Sequence, residues 1–147
     1  NLFKKLRLLE NYKKIIIEEF IKGREIQAAI IGKKKLGAIE LKPKREFYDY
    51  QAKYDVKAKT QHLIPVNISK RDYNDLMNIT MKAHKLIGCR GFSRSDFKFF
   101  NKKFYLLEIN TQPGMTKLSL VPEIARYHGI SFIKLLEFIL NDASIQK

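Results

Sequence analysis

Two segments decide the fold class of this chain: Cys89-Arg90-Gly91-Phe92-Ser93-Arg94-Ser95-Asp96-Phe97-Lys98-Phe99 and Phe104-Tyr105-Leu106-Leu107-Glu108-Ile109. Both are rich in aromatic and aliphatic residues and are bounded by turn-forming residues, which is typical of β-strands. The polar stretch Asn101-Lys102-Lys103 lies between them and predicts a three-residue turn. The two segments are therefore expected to form a β-hairpin, which is followed by a loop over residues 110–117 that contains Pro113-Gly114.

The rest of the chain predicts a mixture of strands and helices. Strands are expected at Ile15–Ile17, at Ile26–Ile30 and Leu36–Leu41 around a Gly32–Lys35 turn, and at His62–Val66 with Pro65 at an edge or an end. Helices are expected over residues 1–12, from a Ser69 cap to Gly88, over Leu120–His128 and over Phe132–Asn141. This mixture predicts an α+β fold, with an antiparallel β-sheet and flanking helices.

The predicted hairpin brings two carboxylates together. Alternation along the first strand puts Arg94, Asp96 and Lys98 on one face. A three-residue turn pairs Phe100 with Phe104, and sets Asp96 opposite Glu108 on a face shared with Phe104, Leu106 and Asn110. A two-residue turn would instead put the two carboxylates on opposite faces. Two such groups about 4 Å apart repel by roughly 4 kcal/mol at an effective dielectric near 20, so a proton, Arg94 or a metal must compensate.

The side chains on this face are all oxygen donors or their counter-charge. Asp96, Glu108 and Asn110 supply the ligand types that a hard cation such as Mg²⁺ prefers. Glu108 lies between Leu106-Leu107 and Ile109, so its neighbours are expected to be buried. The alternative is an ordinary polar strand face with a surface Arg–Asp pair.

Length and composition limit the class of protein. The chain has 147 residues, the size of one domain, and 45% of them are hydrophobic, which excludes a disordered chain. It contains no apolar stretch long enough to span a membrane, and its single cysteine, Cys89, excludes an internal disulfide. The formal net charge of +14 favours polyanionic partners, such as nucleic acid, acidic membranes or nucleotide phosphates.

Four motifs resemble one known family. They are Phe47-Tyr48-Asp49-Tyr50-Gln51-Ala52-Lys53-Tyr54, Gly91–Asp96, Phe104–Thr116 and Ser119-Leu120-Val121-Pro122. Their order and spacing resemble the D-alanine–D-alanine ligases, bacterial cell-wall enzymes of the ATP-grasp fold. The chain resembles the C-terminal half of the longer chains of that family. By this resemblance it would begin just before the nucleotide hinge. The resemblance implies ATP-dependent joining of two D-alanines through an acyl phosphate, for peptidoglycan precursor synthesis.

The resemblance also implies a role for particular residues. Asp96, Glu108 and Asn110 would bind Mg²⁺ or Mn²⁺. Arg94 and the Gly114 N–H would stabilise the transferring phosphoryl group and the oxyanion, and Ser119 and Leu120 would hold the second D-alanine. The remaining implied contacts are with the nucleotide or lie in a lid: Glu18, Glu19 and Ile21 at the adenine hinge, Glu25 on the ribose, Lys53 on the phosphates, and Tyr54 in the lid. Glu19 departs from the family, which often has lysine there.

The same resemblance implies a division of the chain and a set of partners. Residues 1–45 would belong to the nucleotide clamp with its hinge, residues 46–60 to a mobile lid loop, and residues 61–147 to the metal- and substrate-binding part. The N-terminal domain of the family would be absent, so the isolated chain is expected to have little activity. The expected partners are D-alanine and ATP, without nucleic acid or membrane, in a cytoplasmic and homodimeric parent enzyme.

Other functions compete with this interpretation. Another ATP-grasp carboxylate–amine ligase, or a D-alanine–D-lactate ligase, would share the metal hairpin. A basic nucleic-acid-binding module would use the net charge and the tyrosines interleaved with lysines at 42–59. Single residues also have structural alternatives: Glu18 and Glu19 as an exposed strand end, Tyr48, Tyr50 and Tyr54 as a packed loop, and Ser119 as a helix cap.

Overall fold

The computed structural model describes residues 2–42, 60–116 and 118–143. Within these ranges one antiparallel sheet has the strand order β3-β2-β1-β4-β5. Its strands are β1 Arg24–Ile31, β2 Lys34–Lys42, β3 Gln61–Leu63, β4 Phe92–Phe100 and β5 Lys103–Asn110. The helices are α1 Leu2–Arg7, α2 Lys70–Leu86, α3 Leu120–Tyr127 and α4 Phe132–Asp142. The predicted α+β class, an antiparallel sheet with flanking helices, is confirmed.

Alternation along the central strands builds a core on each side of the sheet. On one face Ile26, Ala28 and Ile30 of β1 pack with Leu76 and Met77 of α2. On the other face the residues in between pack with α3 and α4, in a cluster that includes Ala29, Ile31, Leu36, Ile39, Leu41, Ile124 and Leu135. Towards β4 and β5 this second face changes from apolar to polar side chains, and these form the candidate site.

The turn between β4 and β5 differs from the prediction. Only Asn101 and Lys102 separate the strands, with φ angles of 48° and 59°, so Phe100 pairs with Lys103 and not with Phe104. Two consecutive residues with positive φ are typical of the tight hairpin turn whose twist matches that of its strands. The predicted three-residue turn is therefore wrong.

A β-bulge compensates for the shorter turn. The register shifts between Asp96 and Phe97, so that Phe97 pairs with Leu106 whereas Asp96 pairs with Glu108. Leu107 is the extra residue on β5. The predicted pairing of Asp96 with Glu108 is thus confirmed, although the turn that led to it was wrong.

The bulge also corrects the predicted face of β5. Phe104 and Leu106 lie on the α2 face and not beside Glu108, because they pair with Phe99 and Phe97. The Phe104 ring stacks on Phe99 with centroids 4.4 Å apart and meets Phe97 edge-on at 6.1 Å. The aromatic side chains of the hairpin therefore join the core under α2.

Two segments near the N-terminus are less regular than predicted. Helix α1 ends at Arg7 rather than near residue 12, and residues Ile15–Ile17 are not a strand. Ile16 is 86% exposed and Leu8 is 78% exposed, so these apolar residues have little to pack against in the described ranges. A short isolated helix and an unpaired strand are both marginal without such packing.

The predicted ends of several elements are confirmed. Asp72 N–H donates to Ser69 Oγ (3.1 Å) at the start of α2, and Gly88, with φ 71°, follows its C-terminal cap. Strand β3 is shorter than predicted, and ends before Pro65 at the edge of the sheet. None of the helices in the described ranges has the length and apolar character that crossing a membrane requires.

Candidate active site

Three cross-strand rows of polar side chains lie on the face of the sheet that also carries α3 and α4. The first row pairs Glu25 with Lys98, and Lys98 Nζ donates to Glu25 Oε1 at 2.6 Å. The second joins Gln27, Asp96 and Glu108 across three strands. The third places Arg94 beside Ala29 on one side and Asn110 on the other. All these residues share a face because each is two positions from the next along its strand.

Arg94 forms a buried, two-point ion pair with Asp96. Arg94 Nε donates to Asp96 Oδ1 at 2.6 Å, and Nη2 donates to Oδ2 at 2.9 Å. The same Nη2 lies 3.8 Å from Glu108 Oε1. Among the three compensating groups that the sequence left open, the structure therefore places Arg94 between the two carboxylates. The pair is buried, with side-chain exposures of 11% and 12%, and so differs from the surface Arg–Asp pair considered as the alternative.

The oxygens on this face suit a hard cation. Each Asp96 oxygen accepts one hydrogen bond from Arg94 and keeps a further lone pair for another partner. The Glu108 side chain is 58% exposed and accessible from solvent. In the described ranges no three Asp, Glu, His or Cys side chains converge as a metal cage, so a cation here would have two carboxylates and amide oxygens. Mg²⁺ typically takes one or two carboxylates, which this donor set fits.

The surroundings of Glu108 differ from the prediction. Leu106 is 40% exposed and Leu107 is 54% exposed, so the neighbours of Glu108 are not buried as expected. The reason is that β5 is an edge strand among those described, and that the bulge turns Leu107 outward. Asn110 lies at the end of the same strand, where its Oδ1 accepts a hydrogen bond from Gln112 N–H at 2.9 Å.

A cleft extends from the carboxylates to the segment before β1. One cavity of about 250 Å³ is lined by Glu18, Glu25, Gln27, Asp96, Phe97, Leu107 and Glu108. A second, of about 410 Å³, is lined by Glu18, Glu19, Phe20, Ile21, Glu25, Lys98 and Leu107. The two share Glu18, Glu25 and Leu107. The structure thus brings the predicted hinge residues Glu18, Glu19 and Ile21 to a cavity shared with Glu25, and Glu18 also lines the cavity of the carboxylate pair.

Ser119 is the N-cap residue of α3, but its side chain does not cap the helix within the described ranges. Instead, Ser119 Oγ accepts a hydrogen bond from Thr116 N–H at 2.9 Å and lies 2.9 Å from Thr116 Oγ1. A Cβ atom at Gly114 would approach Ser119 Oγ to 3.0 Å, so glycine leaves room for this arrangement. The N–H of Leu120 lies in the first turn of α3, where backbone N–H groups do not form intrahelical hydrogen bonds. Such N–H groups at a helix N-terminus attract anions.

Two predicted site residues, Lys53 and Tyr54, lie outside the described residues, as does all of the predicted lid except Thr60. One residue that the sequence reasoning missed is Gln27, which is 3% exposed and lines the first cavity. The available signal was its position in β1, two residues after Glu25 and therefore on the same face.

A family model and curated relatives match nearly the whole of this chain. The model of the family described as "D-ala D-ala ligase C-terminus" matches residues 4–141. A D-alanine–D-alanine ligase of Pelagibacter ubique is 66% identical over 147 residues, which are 100% of this chain and 48% of the relative. One from Zymomonas mobilis is 46% identical over 138 residues, 91% of this chain and 43% of the relative. The chain thus spans less than half the length of these curated relatives.

Solved structures show the same likeness. The D-alanine–D-alanine ligase of Bacillus anthracis complexed with ATP superposes with a TM-score of 0.80 at 31% identity, over 96% of this chain and 46% of that one. The VanG D-Ala:D-Ser ligase of Enterococcus faecalis superposes with a TM-score of 0.68 at 27% identity, over 84% of this chain and 37% of that one. The fold of this chain therefore occurs in ligases of this kind.

Proposed function

Because the chain belongs to the D-alanine–D-alanine ligase C-terminal family, we propose that it carries the catalytic face of an ATP-dependent ligase that joins two D-alanines. The observation that carries this proposal is the order of side chains along one sheet face. The hinge at Glu18 is followed by Glu25, then by Asp96 with Glu108, and then by Arg94 with Asn110. This order matches the order of base, ribose, phosphates and reacting carboxylate in ATP and its acceptor.

The cleft between the hinge and β1 would bind the nucleoside. Backbone groups of Glu18, Glu19 and Ile21 would meet the adenine edge. A backbone contact tolerates glutamate at position 19, because it does not need a particular side chain. Glu25 would accept hydrogen bonds from the ribose hydroxyls. Lys98 holds the Glu25 carboxylate at 2.6 Å, and so fixes its orientation before the nucleotide enters.

Asp96, Glu108 and Asn110 would hold Mg²⁺ or Mn²⁺. Such a cation, when bound, neutralises negative charge on the phosphates. The buried Arg94 adds a fixed positive charge on the same face, and the two hydrogen bonds to Asp96 hold its guanidinium in place. A guanidinium in that position would stabilise the phosphoryl group while it moves from ATP to the carboxylate of the first D-alanine.

The loop after β5 would receive the second D-alanine. The amine of the second D-alanine would attack the acyl phosphate of the first, form the peptide bond and release phosphate. The Leu120 N–H and Ser119 Oγ would bind its carboxylate, since the start of α3 favours an anion. The Gly114 N–H would donate to the oxyanion of the tetrahedral intermediate. Lys53 and Tyr54, in the proposed lid over residues 46–60, would close over the phosphates and exclude water.

Product analysis of the protein, as its gene encodes it, tests this proposal. With Mg²⁺ and ATP we expect ADP release that depends on D-alanine, and a stoichiometric amount of D-alanyl-D-alanine. D-serine and D-lactate, offered as competing acceptors, measure the choice of second substrate. ADP release without any D-alanine-containing product would contradict the proposal, and a preference for D-lactate would move the protein to the depsipeptide-forming alternative.

A further inference from the structure

The side chain of Gln27 is buried in the candidate site without a complete set of hydrogen bonds. It is 3% exposed, and its Oε1 has no hydrogen-bond partner among the described residues. It lines the same cavity of about 250 Å³ as Glu25, Asp96 and Glu108. A buried amide oxygen without a partner costs free energy, so its position in this cavity calls for a donor that the described residues do not provide.

The chemistry of the cavity restricts that donor. Oε1 is an acceptor, and the other polar groups that line this cavity are mostly carboxylates, which accept hydrogen bonds as well. Phosphate oxygens of a nucleotide are acceptors too, and cannot satisfy it. Among the groups that the proposed ligands bring to this cavity, the donors are the water molecules around a bound cation and the hydroxyl groups of a ribose.

The strand register favours the water molecules. Gln27 is the direct cross-strand partner of Asp96, and Asp96 is the partner of Glu108. Directly opposed side chains on one face have Cβ atoms about 4.5–5.5 Å apart, so Gln27 lies one step from the carboxylates that would hold the cation. Magnesium keeps several of its own waters when it binds to protein, and these waters are strong donors.

We propose that Gln27 Oε1 accepts a hydrogen bond from a water molecule bound to the divalent cation, and thereby positions the cation on Asp96 and Glu108. Gln27 is a positioning residue in this scheme, because it touches the hydration shell and not the reacting atoms. The inference rests on the proposed function, which supplies the cation and the nucleotide. Gln27 Oε1 would thus act beside Asp96, Glu108 and Asn110, but through a water molecule and not as a direct ligand.

The test measures binding of Mn²⁺, by its paramagnetic effect on water relaxation, to the protein as its gene encodes it. Gln27→Met keeps the length of the side chain and removes the oxygen, whereas Gln27→Glu keeps an acceptor oxygen and removes the amide donor. With ATP present, we expect Gln27→Met to weaken Mn²⁺ binding about 10-fold or more, the usual effect of losing such an outer partner. Gln27→Glu should bind Mn²⁺ at least as tightly as the wild type.

Ser95→Ala is the matched control. Ser95 precedes Asp96, is fully buried and also has a side-chain oxygen with no partner in the described part of the chain, but it lies on the opposite face of the sheet. Its removal should leave Mn²⁺ binding unchanged. The melting temperature of ligand-free Gln27→Met should not fall below that of the wild type, because the substitution removes an unsatisfied buried group. A folded variant therefore keeps the binding result interpretable.

The outcomes separate this inference from the proposed function. If the wild type fails to bind Mn²⁺ with ATP, the proposed function is overturned together with the inference. If the wild type binds and Gln27→Met binds equally well, only the inference is overturned. Tripolyphosphate, which has no ribose, serves as a second ligand. A loss for Gln27→Met with ATP but not with tripolyphosphate would assign Oε1 to a ribose hydroxyl, and would overturn the role of the cation-bound water.

Discussion

Arg94 donates hydrogen bonds to both carboxylate oxygens of Asp96, two residues further along the same strand, at 2.6 and 2.9 Å. A second arginine–carboxylate pair on the other face of the sheet has the same two-point form. There Arg24 donates to Glu40 at 2.8 and 2.6 Å. The molecule therefore contains an internal comparison between a pair in the candidate site and a pair outside it.

Arg94→Lys should lower kcat by roughly 10²–10³-fold, since one charge-stabilising donor is typically worth that much. Lysine keeps the charge but loses the rigid fork of donors. Arg24→Lys is the matched control and should stay within a few-fold of the wild type. Both are measured as D-alanine-dependent ADP release. Equal losses in the two variants would mean that Arg94 acts through stability of the sheet and not on the reaction.

Asp96→Asn should weaken binding of Mn²⁺ with ATP by about 10-fold or more, because a neutral amide replaces a carboxylate ligand and removes the carboxylate to which Arg94 donates. Asp75→Asn, on an exposed position of α2, changes the net charge by the same amount and should have no effect. The measurement is a manganese titration monitored by paramagnetic relaxation. Unchanged binding in Asp96→Asn would remove Asp96 from the proposed ligand set.

Gly114→Ala should raise the KM for the second D-alanine by roughly 10–100-fold, because overpacking typically costs about 1–3 kcal/mol. The added Cβ would approach Ser119 Oγ to 3.0 Å and would displace the hydroxyl from Thr116. Gly91→Ala is the control, since a Cβ there meets Asp142 at an ordinary 3.4 Å. Initial rates at varied D-alanine concentration distinguish the two. A normal KM in Gly114→Ala would exclude Ser119 from substrate binding.

Lys102→Gly should stabilise the protein by about 0.5–1 kcal/mol without changing activity. Lys102 has a φ of 59°, which glycine adopts without the steric cost that a Cβ imposes. Lys103→Gly, one residue later and inside β5, should instead destabilise by a similar amount. Chemical denaturation provides both values. If both variants lose stability, the tight turn with positive φ at Lys102 is not the native one.

Folding stability should fall as the pH drops below about 6.5, in part because of His84. Burial lowers the pKa of His84, which is 2% exposed and hydrogen-bonded through Nδ1 to Ser93 Oγ at 2.7 Å. The unfolded chain therefore binds a proton that the folded chain resists, and one such group contributes at most about 1.4 kcal/mol per pH unit.

The measurement for His84 is the free energy of unfolding between pH 5 and pH 8. In His84→Gln, which cannot titrate but can still bond to Ser93, this dependence on pH should be shallower than in the wild type. The same slope in both proteins would show that other groups cause the acid sensitivity.

The sequence predicted the fold class, both long hairpins and the pairing of Asp96 with Glu108. These follow from alternation of side chains and from local turn and cap signals, such as Ser69 before α2. The length of the turn could not be predicted, because positive φ at Asn101 and Lys102 is a property of the folded hairpin. Neither residue is a glycine, which often occupies such positions, so the twist of the paired strands is what selects this turn conformation.

The errors near the N-terminus have a different origin. Residues 1–12 and Ile15–Ile17 have apolar patterns, but a pattern becomes a helix or strand only when a complementary surface is available. Ile16 and Leu8 remain exposed in the described structure. Gln27 was missed because a single glutamine in an apolar strand carries no charge pattern, and its significance depends on its having no Oε1 partner among the residues that the structure describes.

The hairpin that carries Asp96 and Glu108 links the candidate site to the core under α2. A two-residue turn with the bulge at Leu107 and a three-residue turn without a bulge place these carboxylates on the same face, with the same number of residues between them. The pairing of the carboxylates therefore depends on that spacing, whereas the packing of the hairpin depends on where the extra residue lies. Moving the extra residue from the bulge to the turn would keep Asp96 opposite Glu108 but would take Phe104 out of its contacts with Phe99 and Phe97 under α2.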